Sequence, residues 1–104
     1  MTNEDRLKLS IAAYNAGLGH IRDAQILTHR LGKNRNKWKN VREALLLLQT
    51  PEFAAAAKYG YCKGSETVDY VTKVTGRYKE YLKKYPLSSI VLTKAGRHSL
   101  ASHV

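Results

Sequence analysis

The first third of the chain places apolar residues at steps of three and four, the spacing of one face of an α-helix. Leu7, Ile11 and Tyr14 follow this spacing, and Gly17 comes soon after the run. A second run with the same spacing is closed by Gly32. Glycine often ends a helix because it adopts a left-handed backbone without steric cost. The pattern therefore predicts two helices that end at these two glycines.

Three further helical patterns follow. Residues 41–49, VREALLLLQ, are apolar on nearly every side at their end, which is typical of a helix buried between others. Pro51 then opens a short helix, because proline is well tolerated in a first turn. The last pattern has Ser65 as its predicted N-cap and ends at Pro86. Its apolar stripe consists of Val71, Val74, Tyr78, Tyr81 and Tyr85.

These patterns predict an all-α array of about five helices over residues 1–85. A chain of 104 residues has room for one compact domain. Residues 86–104 contain no acidic residue and only a short β-favouring segment, SIVLT. We therefore expect them to form an appendage with little helical order.

Charge and cysteine content narrow the function classes. Eighteen Lys and Arg against eight Asp and Glu give a formal net charge of +10, which favours polyanions or surfaces that carry carboxylates. Cys62 is the single cysteine, so an internal disulfide or a cysteine metal cluster cannot form. No spacing of His, Asp and Cys fits a zinc site, and we expect neither a metal nor a cofactor. The sequence shows neither a membrane-spanning apolar run nor the pattern of a secretion signal.

Residues 13–20, AYNAGLGH, place Tyr14 and Asn15 at the end of the first helix. A tyrosine offers a flat apolar face, and an asparagine offers an amide donor and acceptor. Both suit sugar rings and N-acetyl groups. Gly17 and Gly19 allow the tight exit of the chain that follows.

Together with residues 58–71, KYGYCKGSETVDYV, this run resembles the catalytic domain of lytic transglycosylases, which has a goose-lysozyme-like fold. It is most similar to the membrane-bound lytic murein transglycosylase F type, in which an AYN-G-GH-DA run precedes a YGYxRG-E-YV run. The resemblance covers about residues 6–85. It implies a lysozyme-like helical domain that acts on the glycan strands of peptidoglycan, at the periplasmic side of the bacterial envelope.

The resemblance also implies roles for individual residues. Tyr14 and Asn15 match the motif that lines the groove beside the catalytic glutamate, and Glu66 and Tyr70 match the next motif. Glu66 is either a helix-start charge or a structural residue beside the site, and Tyr70 either faces the cleavage site or belongs to the apolar stripe. The resemblance places Tyr59 and Tyr61 near the same wall. The residues expected to support the site structurally are Ala13, Gly17 and Gly19.

In the family, a single glutamate protonates the bond between N-acetylmuramic acid and N-acetylglucosamine and then acts as a base while a 1,6-anhydro ring closes. That glutamate lies upstream, in a Glu-Ser motif followed by Gly-Leu-Met-Gln, and neither motif occurs in this sequence. Glu4 lacks the following serine and is expected to be a helix-start charge. We therefore expect the C-terminal part of the domain, with the catalytic acid in a missing N-terminal half.

Two other functions remain open from the sequence. A non-catalytic glycan-binding remnant would use the same tyrosines and the positive charge to hold peptidoglycan. A small basic nucleic-acid-binding protein is motivated by the charge alone. It ranks last, because no helix shows a basic face with a recognised docking motif.

Overall fold

Five helices make up most of the computed structural model, which describes residues 1–85. In chain order they are α1 (Asn3–Ala16), α2 (Leu18–Arg30), α3 (Trp38–Leu47), α4 (Pro51–Ala56) and α5 (Gly64–Lys84). No strand occurs within these 85 residues, so the all-α prediction of about five helices is confirmed. The appendage predicted for 86–104 lies outside the described residues. None of the described helices is both long and apolar enough to cross a membrane.

The described residues fall into two units, Met1–Val74 and the part of α5 that begins at Thr75. The first unit holds the core, where α1, α2 and α3 pack on one another. Alanines from each of these helices are buried and allow close approach of the backbones. The buried apolar side chains are Leu9, Ala12, Ile21, Ala24, Trp38, Val41, Ala44, Leu45, Leu48, Cys62 and Val71. Burial of this cluster removes apolar area from water and thereby stabilises the first unit.

Glycine residues end the first two helices, as the sequence predicts. Gly17 is the single residue between α1 and α2. Its backbone angles, φ 100° and ψ 141°, would be strained in any residue that has a side chain. Its N–H donates to the carbonyl of Ala13 at 2.8 Å. At the end of α2, Gly32 has φ 79°, and the N–H of Lys33 donates to the carbonyl of Thr28 at 3.0 Å. This is the bonding pattern of a Schellman C-cap.

Asp5 joins the starts of α1 and α3. Thr2 caps α1 by accepting from the Asp5 N–H at 3.0 Å, and its hydroxyl donates to Asp5 Oδ2 at 2.8 Å. The other carboxylate oxygen accepts from the backbone N–H of Trp38 at 2.9 Å. The Trp38 N–H, with help from the Thr2 hydroxyl, lowers the pKa of Asp5 below its ordinary value of 3.8.

The start of α5 differs from the sequence prediction. The helix begins at Gly64, so Ser65 lies inside its first turn and is not the N-cap. Instead, Oε1 of Gln49 accepts from the Ser65 N–H at 2.6 Å. Gly64 is buried against the backbone of α3, and a methyl group there would overlap the carbonyl of Leu45. Close packing, and not a local capping residue, therefore sets where α5 begins.

The apolar stripe of α5 is buried in its first part only. In the first unit, Val71 is buried and Val74 is partly buried. In the second unit, the tyrosines of the stripe are 45–48% exposed, and the rings of Tyr81 and Tyr85 lie 4.9 Å apart between centroids. The stripe therefore changes from core packing to a half-exposed row of aromatic rings.

Substitution of Gly64 tests the close contact between α5 and α3. We expect Gly64→Ala to destabilise the protein by about 2 kcal/mol, or about 10 °C in Tm, because the added methyl meets backbone that cannot rotate away. Gly76→Ala is the matched control on the same helix. No atom lies within 4 Å of a methyl built at Gly76, so the better helix propensity of alanine should raise stability by about 0.5–1 kcal/mol. Equal shifts for the two variants in a thermal melt would contradict the contact.

Acid titration of the thermal melt tests the Asp5 bridge. Because the pKa of Asp5 is lower in the folded protein than in the unfolded chain, its contribution is complete above the unfolded value and is lost as the pH falls through the folded value. Asp5→Asn removes this titration. We expect Tm to fall less steeply for the variant than for the wild type as the pH is lowered below about 4. Parallel Tm profiles for the two proteins would exclude the bridge.

Candidate functional site

Asn15 is tied to α5 by a hydrogen bond that joins the two sequence motifs. The hydroxyl of Thr67 donates to Asn15 Oδ1 at 2.9 Å, and Thr67 is itself buried. Asn15 lies in the last turn of α1, just before the glycine that ends the helix. Its amide nitrogen has no hydrogen-bond partner among residues 1–85 and is free to donate to a ligand.

An open pocket of about 180 Å³ lies beside this bond. We call it the Asn15 pocket; its lining includes Asn15, His20, Tyr61, Lys63, Glu66 and Thr67. Three of the residues predicted from the sequence, Asn15, Tyr61 and Glu66, thus line one concavity. They come from α1, from the loop before α5, and from the first turn of α5.

The charges in the Asn15 pocket form an exposed ion pair. Nζ of Lys63 lies 3.2 Å from a carboxylate oxygen of Glu66, and both side chains are more than half exposed. A carboxylic acid that donates a proton in catalysis needs an apolar, partly buried setting, which an exposed and paired carboxylate lacks. Among the described residues, Glu66 therefore lacks the apolar surroundings that a proton-donating carboxyl group needs.

Tyr14 and Tyr70 lie outside the lining of the Asn15 pocket. Tyr14 is 85% exposed in the last turn of α1. Tyr70 lies one helical turn after Glu66 and is partly buried. Ala13 packs against the core, and its carbonyl accepts the N–H of Gly17. The roles that the resemblance implies for the two tyrosines stay predictions.

The loop before α5 is held in place from both sides. The N–H of Tyr59 donates to Oδ2 of Asp23, which is only 6% exposed on α2, at 2.8 Å. The N–H of Cys62 donates to the carbonyl of Leu48, at the end of α3, at 3.2 Å. Burial, reinforced by the negative charge of Asp23, raises the pKa of the Cys62 thiol. Cys62 is buried, and its raised pKa disfavours the thiolate form that a nucleophile needs.

Gly19 supports the ring of Tyr59. A methyl group at Gly19 would lie 3.0 Å from atoms of that ring, so only glycine lets the ring rest on the helix without displacement. A second pocket of about 450 Å³ opens here, lined by Leu18, Gly19, His20, Arg22 and Tyr59. We call it the Tyr59 pocket. The sequence prediction assigned Gly19 to the tight exit from α1, and in the structure Gly19 also lies beneath the ring of Tyr59.

His20 lies between the two pockets and contributes to the lining of both. Its Nδ1 atom is buried and has no hydrogen-bond partner among the described residues. Within residues 1–85, no three His, Cys, Asp or Glu side chains are grouped so that they could hold a metal ion.

Sequence reasoning missed the two polar residues that organise the site. Asp23 lies between Ile21 and Ala24, both buried on α2, and Thr67 lies one turn before Val71 on the apolar stripe of α5. The sequence did contain a signal for both residues, because each is polar at a position that helical spacing predicts to be buried. Such a residue has a hydrogen-bond partner in a folded protein, and here the partners belong to the motifs.

The curated proteins that are similar to this chain share one name. No protein-family model matches the chain. The membrane-bound lytic murein transglycosylase F of Cellvibrio japonicus is 45% identical over 76 residues, which is 73% of this chain and 15% of that protein. The proteins of the same name from Saccharophagus degradans and Maricaulis maris are 47% identical over 67% of the chain and 43% identical over 71%, covering 14% and 16% of their own lengths.

The chain therefore spans only about 15% of the length of these relatives. The similar segment of 76 residues is longer than residues 13–71, the stretch that holds both motifs. The resemblance drawn from the two motifs is confirmed: this chain is similar to one segment of the proteins named membrane-bound lytic murein transglycosylase F.

Proposed function

We propose that this chain forms the sugar-binding wall of a lytic murein transglycosylase domain, with peptidoglycan glycan strands bound across the Asn15 pocket. The observation that carries the proposal is the hydrogen bond between Thr67 and Asn15, which fixes an amide donor in a pocket shared with Tyr61 and Glu66. The names of the relatives supply the substrate class, murein.

The pocket has the groups that sugar recognition needs. Asn15 offers amide hydrogens to the carbonyl of an acetamido group. The ring of Tyr61 is 58% exposed and presents an apolar face on which the C–H groups of a pyranose can pack. Lys63 and Glu66 add a donor and an acceptor for ring hydroxyls. Such a set favours a neutral, hydroxyl-rich ligand with amide substituents.

Cleavage needs a proton donor that these residues do not supply. In the family that this chain resembles, the bond between N-acetylmuramic acid and N-acetylglucosamine is cut by one glutamate with closure of a 1,6-anhydro ring. Glu4 is exposed and pairs with Lys8 at 2.9 Å, and Glu66 pairs with Lys63. We therefore propose that the acid lies outside this sequence and that the chain acts at the periplasmic side of the cell envelope.

Binding to insoluble peptidoglycan tests the proposed wall. We expect Asn15→Ala to reduce the bound fraction at low salt, corresponding to a loss in affinity of about 3- to 10-fold, because one hydrogen bond to the ligand is removed. Asn36→Ala is the matched control, since Asn36 is exposed in the turn before α3 and lines neither pocket. A co-sedimentation assay with thermal melts of each protein separates lost binding from lost folding. No binding by the folded wild type, or equal binding by both variants, would overturn the proposal.

Product analysis tests the missing acid. Incubation of the chain with purified peptidoglycan should yield no 1,6-anhydromuropeptides by mass spectrometry, because neither Glu4 nor Glu66 has the setting of a proton-donating carboxyl group. A full-length lytic murein transglycosylase F serves as the positive control. Turnover that persists in Glu4→Gln and Glu66→Gln would show that another group of this chain supplies the proton, and turnover lost in one of them would identify it.

A further inference from the structure

The Tyr59 pocket has a different chemical character from the Asn15 pocket. Its aromatic ring belongs to Tyr59, which is 54% exposed, and its charged residue is Arg22. The Asn15 pocket contains a balanced ion pair, whereas none of the acidic residues in the described part of the chain lines the Tyr59 pocket. Because His20 lines both pockets, they are neighbours along one surface of the first unit.

Two contacts position Tyr59, one to its backbone and one to its ring. Its backbone N–H is bound by the buried carboxylate of Asp23, and its ring rests on the backbone of Gly19. A ring fixed in this way loses little conformational entropy when a ligand packs on it. The platform is therefore preorganised for a flat or C–H-rich ligand face.

The charge around this platform is positive. Arg22 is exposed and forms no ion pair with any carboxylate of residues 1–85. Nζ of Lys58 lies 5.4 Å from the centroid of the Tyr59 ring, and the first turn of α2 contains no acidic residue. Asp23 is a lining residue of a separate cavity, not of this one. An unpaired guanidinium group beside an aromatic platform suits a carboxylate, which it can bind with two parallel hydrogen bonds.

We infer that the Tyr59 pocket is a second saccharide subsite that takes a pyranose unit bearing a carboxylate, with the ring of Tyr59 against the sugar and Arg22 on the carboxylate. The inference rests on the proposed function, because it places the second sugar on the same glycan strand that crosses the Asn15 pocket. In peptidoglycan the carboxylate has two possible sources: the lactyl group of the muramyl sugar, or the peptide stem attached to it. Both present the same chemistry to Arg22.

Binding of three ligands tests the subsite independently of the proposed function. They are a chitooligosaccharide, which is neutral; glycan strands stripped of peptides, which carry free lactyl carboxylates; and peptide-bearing muropeptides, whose carboxylates lie on the stem. Affinities of the whole 104-residue chain are measured by NMR titration. We expect Arg22→Gln to weaken binding of at least one carboxylated ligand about 5-fold and to leave the chitooligosaccharide unchanged. The ligand that responds identifies the source of the carboxylate.

Two further variants complete the test. Arg35→Gln removes the same charge from the exposed turn before α3 and should leave all three affinities unchanged, apart from a small common effect at low salt. Tyr59→Ala should weaken all three ligands about 5-fold, and Tyr59→Phe should restore them, because the apolar ring face and not the hydroxyl packs on the sugar.

The titrations distinguish three outcomes. If the wild type binds none of the three ligands, the proposed function fails. If it binds the chitooligosaccharide but Arg22→Gln and Arg35→Gln are indistinguishable for both carboxylated ligands, the subsite is wrong and the proposed function stands. Selective loss of a carboxylated ligand in Arg22→Gln supports the inference.

Discussion

The hydrogen bond from the Tyr59 N–H to the buried carboxylate of Asp23 is the interaction on which both pockets depend. It fixes the start of a loop that supplies one aromatic side chain to each pocket, Tyr59 to one and Tyr61 to the other. A buried carboxylate is costly unless its charge is met by donors, and a charge-assisted bond to a backbone N–H meets part of that cost. Removal of the carboxylate would free the loop from α2, and the two tyrosines would lose their fixed positions.

The site is built at places where regular structure stops. Asn15 lies in the last turn of α1, Glu66 and Thr67 lie in the first turns of α5, and the tyrosines lie in the loop between α4 and α5. Side chains at helix ends reach beyond the helix and can converge on one region. The core beneath, formed largely by α1, α2 and α3, supplies the rigid support for these ends. Function and stability thus draw on different residues of the same helices.

Much of the fold could be predicted from the sequence because its signals are local. The glycines that end α1 and α2, the proline that opens α4 and the apolar run of α3 act through neighbouring backbone or helical spacing. The start of α5 was predicted wrongly, because Ser65 is a good local cap while the contact of Gly64 with α3 is a tertiary feature. Close approach between two backbones leaves no trace in a single sequence beyond the glycine itself.

The candidate site was predictable only in part for a related reason. Asn15, Tyr61 and Glu66 belong to motifs that the sequence displays. The hydrogen bonds that hold the site, however, join Asp23 to Tyr59 over 36 positions of chain and Thr67 to Asn15 over 52. A polar residue on a buried helix face indicates that it has a hydrogen-bond partner, but the sequence does not show which residue the partner is. The identity of the partner depends on how the helices pack, which only the folded structure shows.

One detail of the Asn15 amide determines what kind of group can approach it. The oxygen already accepts the Thr67 hydroxyl, so the free end of the amide presents hydrogens alone. A ligand atom with a lone pair, such as an acyl oxygen, completes the arrangement. A sugar that has lost its acetyl substituent carries an ammonium group. The hydrogens and the positive charge of that group would be repelled by the NH₂ end of the Asn15 amide, which is the positive end of its dipole. Under the proposed function, the polarity of this one side chain would distinguish an acetylated amino sugar from one that has lost its acetyl group.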